Sequence, residues 1–363
     1  MSSSTSSSAA RVGFVGLGRM GFPMAAHLHK KFGPCAVWNR TTHVATLHAM
    51  EHGTTAVAEI EDFRCPTLFS CLPCWREVHD VASRIIEARR RAVGEGLVDD
   101  EHRFDLHGTA SEPSTESERI LSPRSALRPV SLLIDCTSGE YAHTIEIGEM
   151  LAEHGITFVD CPVSGGPRGA QAATVTAMFG GNSTAAVAYA KHFASAFAAK
   201  RESCGALGSA HAVKSINNIL NSANLATTVE GLLVLRKLFG DRLDLEKALR
   251  CINSSSGRSL QSIQRVPEEV FSRRFGYGFD LQLMQKDCDA ARNLILDASS
   301  VGQHPEGGHQ TAILPRVAEL LDDAASFYQG ECDDARKQGE IIDYTYLAKF
   351  LEDKAGITLE IES

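Results

Sequence analysis

Val12-Gly13-Phe14-Val15-Gly16-Leu17-Gly18-Arg19-Met20-Gly21 is the stretch that decides the fold. Residues 12 to 17 read as a short buried strand, and Met24, Ala25 and Leu28 then recur at helical spacing. Between the two lies Gly16-Leu17-Gly18-Arg19-Met20-Gly21, a GxGxxG sequence. In that context the first glycine allows a tight turn and the second lets the backbone approach a pyrophosphate. The third lets helix and strand pack closely while the helix N-terminus faces the phosphates. GxGxxG alone is a weak signal; its place between a strand and a helix makes it a dinucleotide site.

Working outward, strands are expected at Cys35–Trp38, near Ala56-Val57 and at Thr67–Ser70, with a helix from Val44 to His52. The alternation resumes with a strand over 131–135, a helix near Ile145 to His154, strands at Thr157–Asp160 and Ala173–Met178, and a helix through 185–198. Strands and helices alternating at this length imply parallel βαβ units. From residue 209 the pattern becomes helical, led by a long apolar stripe over Ser215–Phe239 and continued by 243–252, 285–298 and 314–329. The expected fold is an α/β Rossmann domain with a mostly parallel sheet, followed by an all-α domain entered through a long interdomain helix. The expected divisions are a disordered tail at 1–10, a cofactor domain at 11–208, and a helical substrate and oligomerisation domain at 209–363. Residues 91–130, polar and without period, read as an insertion, and 300–311 as a second loop.

The 363 residues carry a net charge of −9, which argues against a nucleic-acid or anionic-membrane partner. No run approaches the roughly 20 apolar residues of a membrane span. The Ser-rich start has no basic or apolar leader region, and ten scattered cysteines read as reduced thiols in a cytoplasmic setting. Cys71 and Cys74 have CxxC spacing, but no second pair stands nearby and no metal site is expected.

The end of the second strand selects the cofactor. An NAD enzyme usually places an acid there to accept from the ribose 2′-hydroxyl. Here the text is Trp38-Asn39-Arg40-Thr41-Thr42. Arg40 can pair with a 2′-phosphate through its planar fork, and Asn39 and Thr41 can donate to it, so NADP(H) is expected over NAD(H). The plainer reading of Arg40 is a solvated arginine after a strand.

Three further segments can meet a substrate. Asp135-Cys136-Thr137-Ser138 follows a strand, which sets its hydroxyls at the carboxyl edge of the sheet. Ser164-Gly165-Gly166 offers a hydroxyl and two glycine amides as a carboxylate cradle. Lys214 and Asn218 stand four apart at the start of the long helix, and so share a face. A lysine there can give a proton to a carbonyl oxygen as hydride arrives, provided burial brings its pKa toward the working pH. Taken singly, the first two segments read equally well as polar turns, and Lys214 reads as a solvated helix-start lysine.

In this order the motifs resemble the β-hydroxyacid dehydrogenase family, which includes 3-hydroxyisobutyrate dehydrogenases and semialdehyde reductases. The matching text is Gly13 to Met24, Cys71-Leu72-Pro73, Asp135 to Ser138, Pro162-Val163-Ser164-Gly165-Gly166, Lys214 to Asn218, Gln285-Lys286-Asp287, and Asp343-Tyr344 with Leu347 to Leu351. The resemblance implies that Lys214 is the acid/base. It implies that Ser138, Ser164, Gly165, Gly166, Asn218, Phe279 and Asp287 surround the substrate. It further implies that Gly16, Leu17, Gly18, Arg19, Met20, Gly21, Asn39, Arg40, Thr41, Leu72, Pro73, Ser138 and Lys286 contact the cofactor. The substrate would be a small β-hydroxyacid or its semialdehyde acid, and the protein a homo-oligomer, dimer or tetramer. Two departures stand out: the insertion, and Ala173 in place of a glycine, which is tolerable if that position lacks positive φ. The rival readings are an NAD-preferring 3-hydroxyisobutyrate dehydrogenase and a non-catalytic NADPH-binding protein; the missing acid after Trp38 opposes the first and Lys214 the second.

Overall fold

The computed structural model describes residues 10–94, 129–301 and 313–361. Most of the expected tail at 1–10, of the expected insertion at 91–130 and of the expected loop at 300–311 lies outside the described residues, and residues 300 and 301 end a helix. The chain divides into two compact units, Met1–Lys214 and Ser215–Ser363, with the division inside one helix.

The first unit is built on a nine-stranded sheet among the described residues. Its strands are β1 (Val12–Val15), β2 (Cys35–Trp38), β3 (Thr55–Ala56), β4 (Thr67–Ser70), β5 (Leu132–Asp135), β6 (Thr157–Asp160), β7 (Val163–Ser164), β8 (Val175–Gly180) and β9 (Ala198–Gly205). The first six lie in the order 3-2-1-4-5-6 and all run parallel. β8 turns antiparallel against β6 and β7, and β9 runs parallel beside β8. β1, β4 and β5 are buried along their whole length because both faces of the sheet are covered. On β5, Leu132 and Ile134 join one core and Leu133 joins the other, as a two-residue period requires. The strand order reverses between β1 and β4, and the carboxyl ends there flank the crevice where such sheets take ligands.

The helices of this unit are α1 (Gly21–Phe32), α2 (Thr42–His52), α3 (Trp75–Gly94), α4 (Tyr141–Ala152), α5 (Gly166–Gln171) and α6 (Thr184–Ala194). α3 runs on into the stretch read as an insertion. The helix expected through 185–198 stops at Ala194, and the chain turns into β9. α7 (Ser209–Phe239) begins before the expected Ser215 and spans 31 residues.

The second unit is helical apart from one isolated bridge, Asp280 to Asp343, among the described residues. Besides most of α7 it holds α8 (Leu245–Asn253), a π-helical segment (Gln261–Phe271) with Pro267 inside it, α9 (Leu281–Val301), α10 (Ile313–Phe327), α11 (Gln329–Lys337) and α12 (Tyr346–Ala355). One apolar cluster, including Leu225, Val229 and Leu232 of α7, Val266, Leu321 and Leu347, forms its core.

Candidate active site

The three glycines of the first loop have different physical reasons. Gly16 has φ +91°, and a methyl group on it would sit 2.3 Å from the Cys71 carbonyl oxygen. A methyl on Gly21 would sit 1.9 Å from the Gly16 carbonyl oxygen. These two are demanded by the protein's own packing. Gly18 has no protein atom within 4 Å of the equivalent position and no positive φ. Its bare backbone faces open space, which suits the close approach of a pyrophosphate. Met20 caps α1 without a side-chain hydrogen bond, and no acid lies in the first turn. Those features fit the nicotinamide dinucleotide.

Asn39 is a buckle for this loop. Its Oδ1 accepts the Leu17 N–H at 2.9 Å and its Nδ2 donates to the Thr41 carbonyl at 3.2 Å. Gly16 N–H donates to the Trp38 carbonyl at 3.0 Å, so the turn is held on β2 twice. Arg19, Arg40 and Thr41 are exposed, and Met20 is half-buried. Glu77, at the start of α3, receives both the thiol and the amide of Cys74, at 2.9 and 3.2 Å. Burial pushes its carboxyl up, but the hydrogen bonds from Cys74, helped by the nearby charge of Arg40, bring it below the usual range. All ten cysteines are free thiols, and Cys71 and Cys74 remain separate. Burial pushes the Cys71 thiol up strongly.

The ends of β4 and β5 are laced together. Ser70 Oγ and the Thr137 N–H both donate to Asp135 Oδ1, at 2.8 and 3.1 Å, and the Leu72 N–H donates to Thr137 Oγ1 at 3.0 Å. The structure thereby brings Leu72 and Pro73 beside the Asp135–Ser138 turn. Ser138 is half-buried. Ser164 ends β7, and Gly165 and Gly166 follow with φ +138° and +64°, a pair of left-handed residues that only glycine adopts readily. Ala173 also has positive φ, +55°. The condition set for this alanine is therefore not met, and it sits in a strained backbone.

Lys214 lies in the second turn of α7 and is only 8% exposed. In the second unit Asn218, Lys286 and Asp287 come together. Asn218 Nδ2 donates to Asp287 Oδ2 at 2.6 Å, Asn217 Nδ2 donates to Asn218 Oδ1 at 3.1 Å, and Lys286 Nζ lies 3.1 Å from Asp287 Oδ1. Phe279 packs edge-on to Tyr344 with ring centroids 6.2 Å apart, outside that cluster's hydrogen bonds. Further along α7, Asn221 accepts from Gln261, whose Oε1 receives the Tyr344 hydroxyl at 3.2 Å.

Asp160 and His211 stand outside the candidate residues legible in the sequence. Asp160, wholly buried, accepts the N–H groups of Gly208 and His211, each at 2.9 Å. The available signal was an acid ending an apolar strand, two residues before Pro162. For His211 the residue pattern offers no such signal.

The comparisons follow the same division. Residues 11–97 and 114–208 match the family model for the NAD binding domain of 6-phosphogluconate dehydrogenase. Residues 208–319 match that for NAD-binding of NADP-dependent 3-hydroxyisobutyrate dehydrogenase. The chain is 28% identical over 295 residues to 2-(hydroxymethyl)glutarate dehydrogenase of Eubacterium barkeri, covering 81% of this chain and 84% of that protein. It is 28% identical over 297 residues to human mitochondrial 3-hydroxyisobutyrate dehydrogenase, covering 80% and 76%. The fold is shared with Mycobacterium tuberculosis 3-hydroxyisobutyrate dehydrogenase solved with L-serine, at TM-score 0.71 and 20% identity over 94% of this chain and 99% of that one. With the Rossmann order of β1 to β6, the glycine loop and these matches, the chain belongs to the β-hydroxyacid dehydrogenase family, as an NAD(P)-dependent oxidoreductase acting on CH–OH groups.

Proposed function

We propose that the protein interconverts a short β-hydroxyacid and its semialdehyde acid, with NADP(H) preferred and Lys214 as the acid/base. The observation that carries this reading is the near-complete burial of Lys214 on the helix it shares with Asn218. A lysine withdrawn from water can exchange a proton near neutrality. Bound NADPH supplies the hydride. In the reducing direction Lys214 Nζ gives its proton to the carbonyl oxygen, and in the oxidising direction it takes the hydroxyl proton. Ser138, Ser164 and the Gly165 and Gly166 amides hold the substrate carboxylate, while Asp287 orients the Asn218 amide toward the reacting oxygen. Lys286, pinned by Asp287, is the candidate for the cofactor side of the second unit.

The substrate class has chemical support in the relatives' names. 3-Hydroxyisobutyrate, 2-(hydroxymethyl)glutarate and L-serine all share the unit HOCH2–CH(R)–COO⁻. On this reading residues 11–208 hold most of the cofactor and supply the carboxylate cradle, and 209–363 supply Lys214, Asn218 and the self-association surface. Val234, Leu238 and Phe239 on α7 are exposed apolar side chains that suit a homo-oligomer. No described helix is long and apolar enough to cross a membrane. The test is a panel of methylmalonate, succinic and tartronate semialdehydes and glyoxylate, each with NADPH and with NADH. Turnover of at least one with NADPH favoured supports the reading. Tight NADPH binding with no turnover on any contradicts it.

A further inference from the structure

The carboxylates that end two neighbouring strands both reach the first turn of α7. Asp160, from β6, receives the Gly208 N–H on Oδ1 and the His211 N–H on Oδ2, both at 2.9 Å. Asp135, from β5, places Oδ2 3.8 Å from Nε2 of His211. The other ring nitrogen, Nδ1, lies 2.7 Å from Thr144 Oγ1 on α4. A helix start needs acceptors for its unbonded N–H groups, but a serine or asparagine of its own would serve without desolvating a charge. A carboxylate brought from a strand end does something a local cap does not. It sets the distance between sheet and helix.

The space around these groups is closed as well. A methyl on Gly180, which pairs with Asp160 across the sheet, would sit 2.4 Å from Asp160 Oδ1. A methyl on Gly139 would sit 2.7 Å from the His211 ring. Neither glycine has positive φ, so room rather than backbone conformation demands them. Consequently the loop carrying Ser138 rests on the His211 ring. The strand leading to Ser164-Gly165-Gly166 holds the His211 amide, and Lys214 follows one turn later on the same helix.

We propose that Asp160 and His211 are positioning residues for the reaction. Together they fix the height and rotation of the Lys214 turn against the loops bearing Ser138 and Ser164. The proposal rests on the reading of Lys214 as the acid/base. Proton transfer needs heavy atoms within about 3 Å, and a displacement near 1 Å can cost on the order of 100-fold in rate.

The experiment compares Asp160→Asn, Gly139→Ala and Lys214→Ala with the wild type. Asn keeps the shape of Asp160 but turns one acceptor into a donor facing an N–H. Gly139→Ala pushes the His211 ring and leaves every charge in place. Each should lower kcat by about tenfold or more, while the NADPH Kd, read by fluorescence, stays within about threefold. Hydrogen exchange of the amides of 208–214 should rise in Asp160→Asn. If Asp160→Asn does not fold, Gly139→Ala carries the same readout. Faster exchange with wild-type kcat would overturn the proposal and leave the clamp purely structural. Lys214→Ala inactive beside active clamp variants refutes the clamp alone; Lys214→Ala active refutes the acid/base reading itself.

Discussion

Asn39 receives the Leu17 N–H on its side-chain oxygen at 2.9 Å, so the residue that follows β2 also fastens the phosphate loop. Asn39→Asp keeps that acceptor and adds a negative charge beside the candidate 2′-phosphate site. The ratio of kcat/KM for NADPH over NADH should fall by about tenfold or more, the worth of one charge-assisted contact. Asn39→Leu removes the buckle and should weaken both cofactors together. Steady-state kinetics with each cofactor separates the two outcomes; an unchanged ratio in Asn39→Asp would place the phosphate elsewhere.

Arg40 is exposed, so its removal leaves no hole in the core. Arg40→Ala should raise the NADPH Kd by about tenfold or more and leave the NADH Kd within about twofold, since only the phosphate loses a partner. Fluorescence titration measures both. Equal losses would contradict the phosphate assignment.

The glycines should separate stability from binding. Gly18→Ala meets no protein atom and no positive φ, so its unfolding free energy should stay within about 0.5 kcal/mol of wild type. Its NADPH affinity should fall by about tenfold or more as the methyl enters the pyrophosphate's place. Gly21→Ala, with a backbone oxygen 1.9 Å from the new methyl, should instead lower the melting temperature of the free protein. A Gly18→Ala protein that binds NADPH normally would refute this account of the loop.

Ala173 holds a left-handed backbone at φ +55°. That conformation costs an alanine about 1–2 kcal/mol. Glycine relieves it but loses about 0.4–1 kcal/mol through its freer unfolded chain. Ala173→Gly should therefore stabilise the protein by about 0.5–1 kcal/mol, read from denaturant unfolding. A loss of stability would show the strain is absent.

The strands that build the sheet's centre were legible because both their faces are covered. β1, β2, β4, β5 and β6 are short, largely apolar runs, and their alternation with helices implies parallel pairing. β9 was not legible. It is an edge strand whose Lys200, Arg201 and Glu202 face solvent, so it carries neither an apolar run nor an alternation. The π-helical segment hid for another reason: it carries Pro267 inside it, and a proline ordinarily ends or breaks a helix. The start of α7 at Ser209 depends on Asp160, far back in the chain, and no local pattern reports a cap from another element. The candidate site divides in the same way. The candidate ligand-facing residues stand in motifs, whereas His211 acquires its partners only when β5, β6 and α4 come together.

The most direct measurement of the central claim is kcat for Lys214→Ala on the best semialdehyde of the panel, with NADPH affinity determined on the same sample. A fall of about 100-fold or more is expected, the lower end of what general acid catalysis contributes, with NADPH Kd within about threefold of wild type. A kcat within about threefold of wild type would contradict that claim.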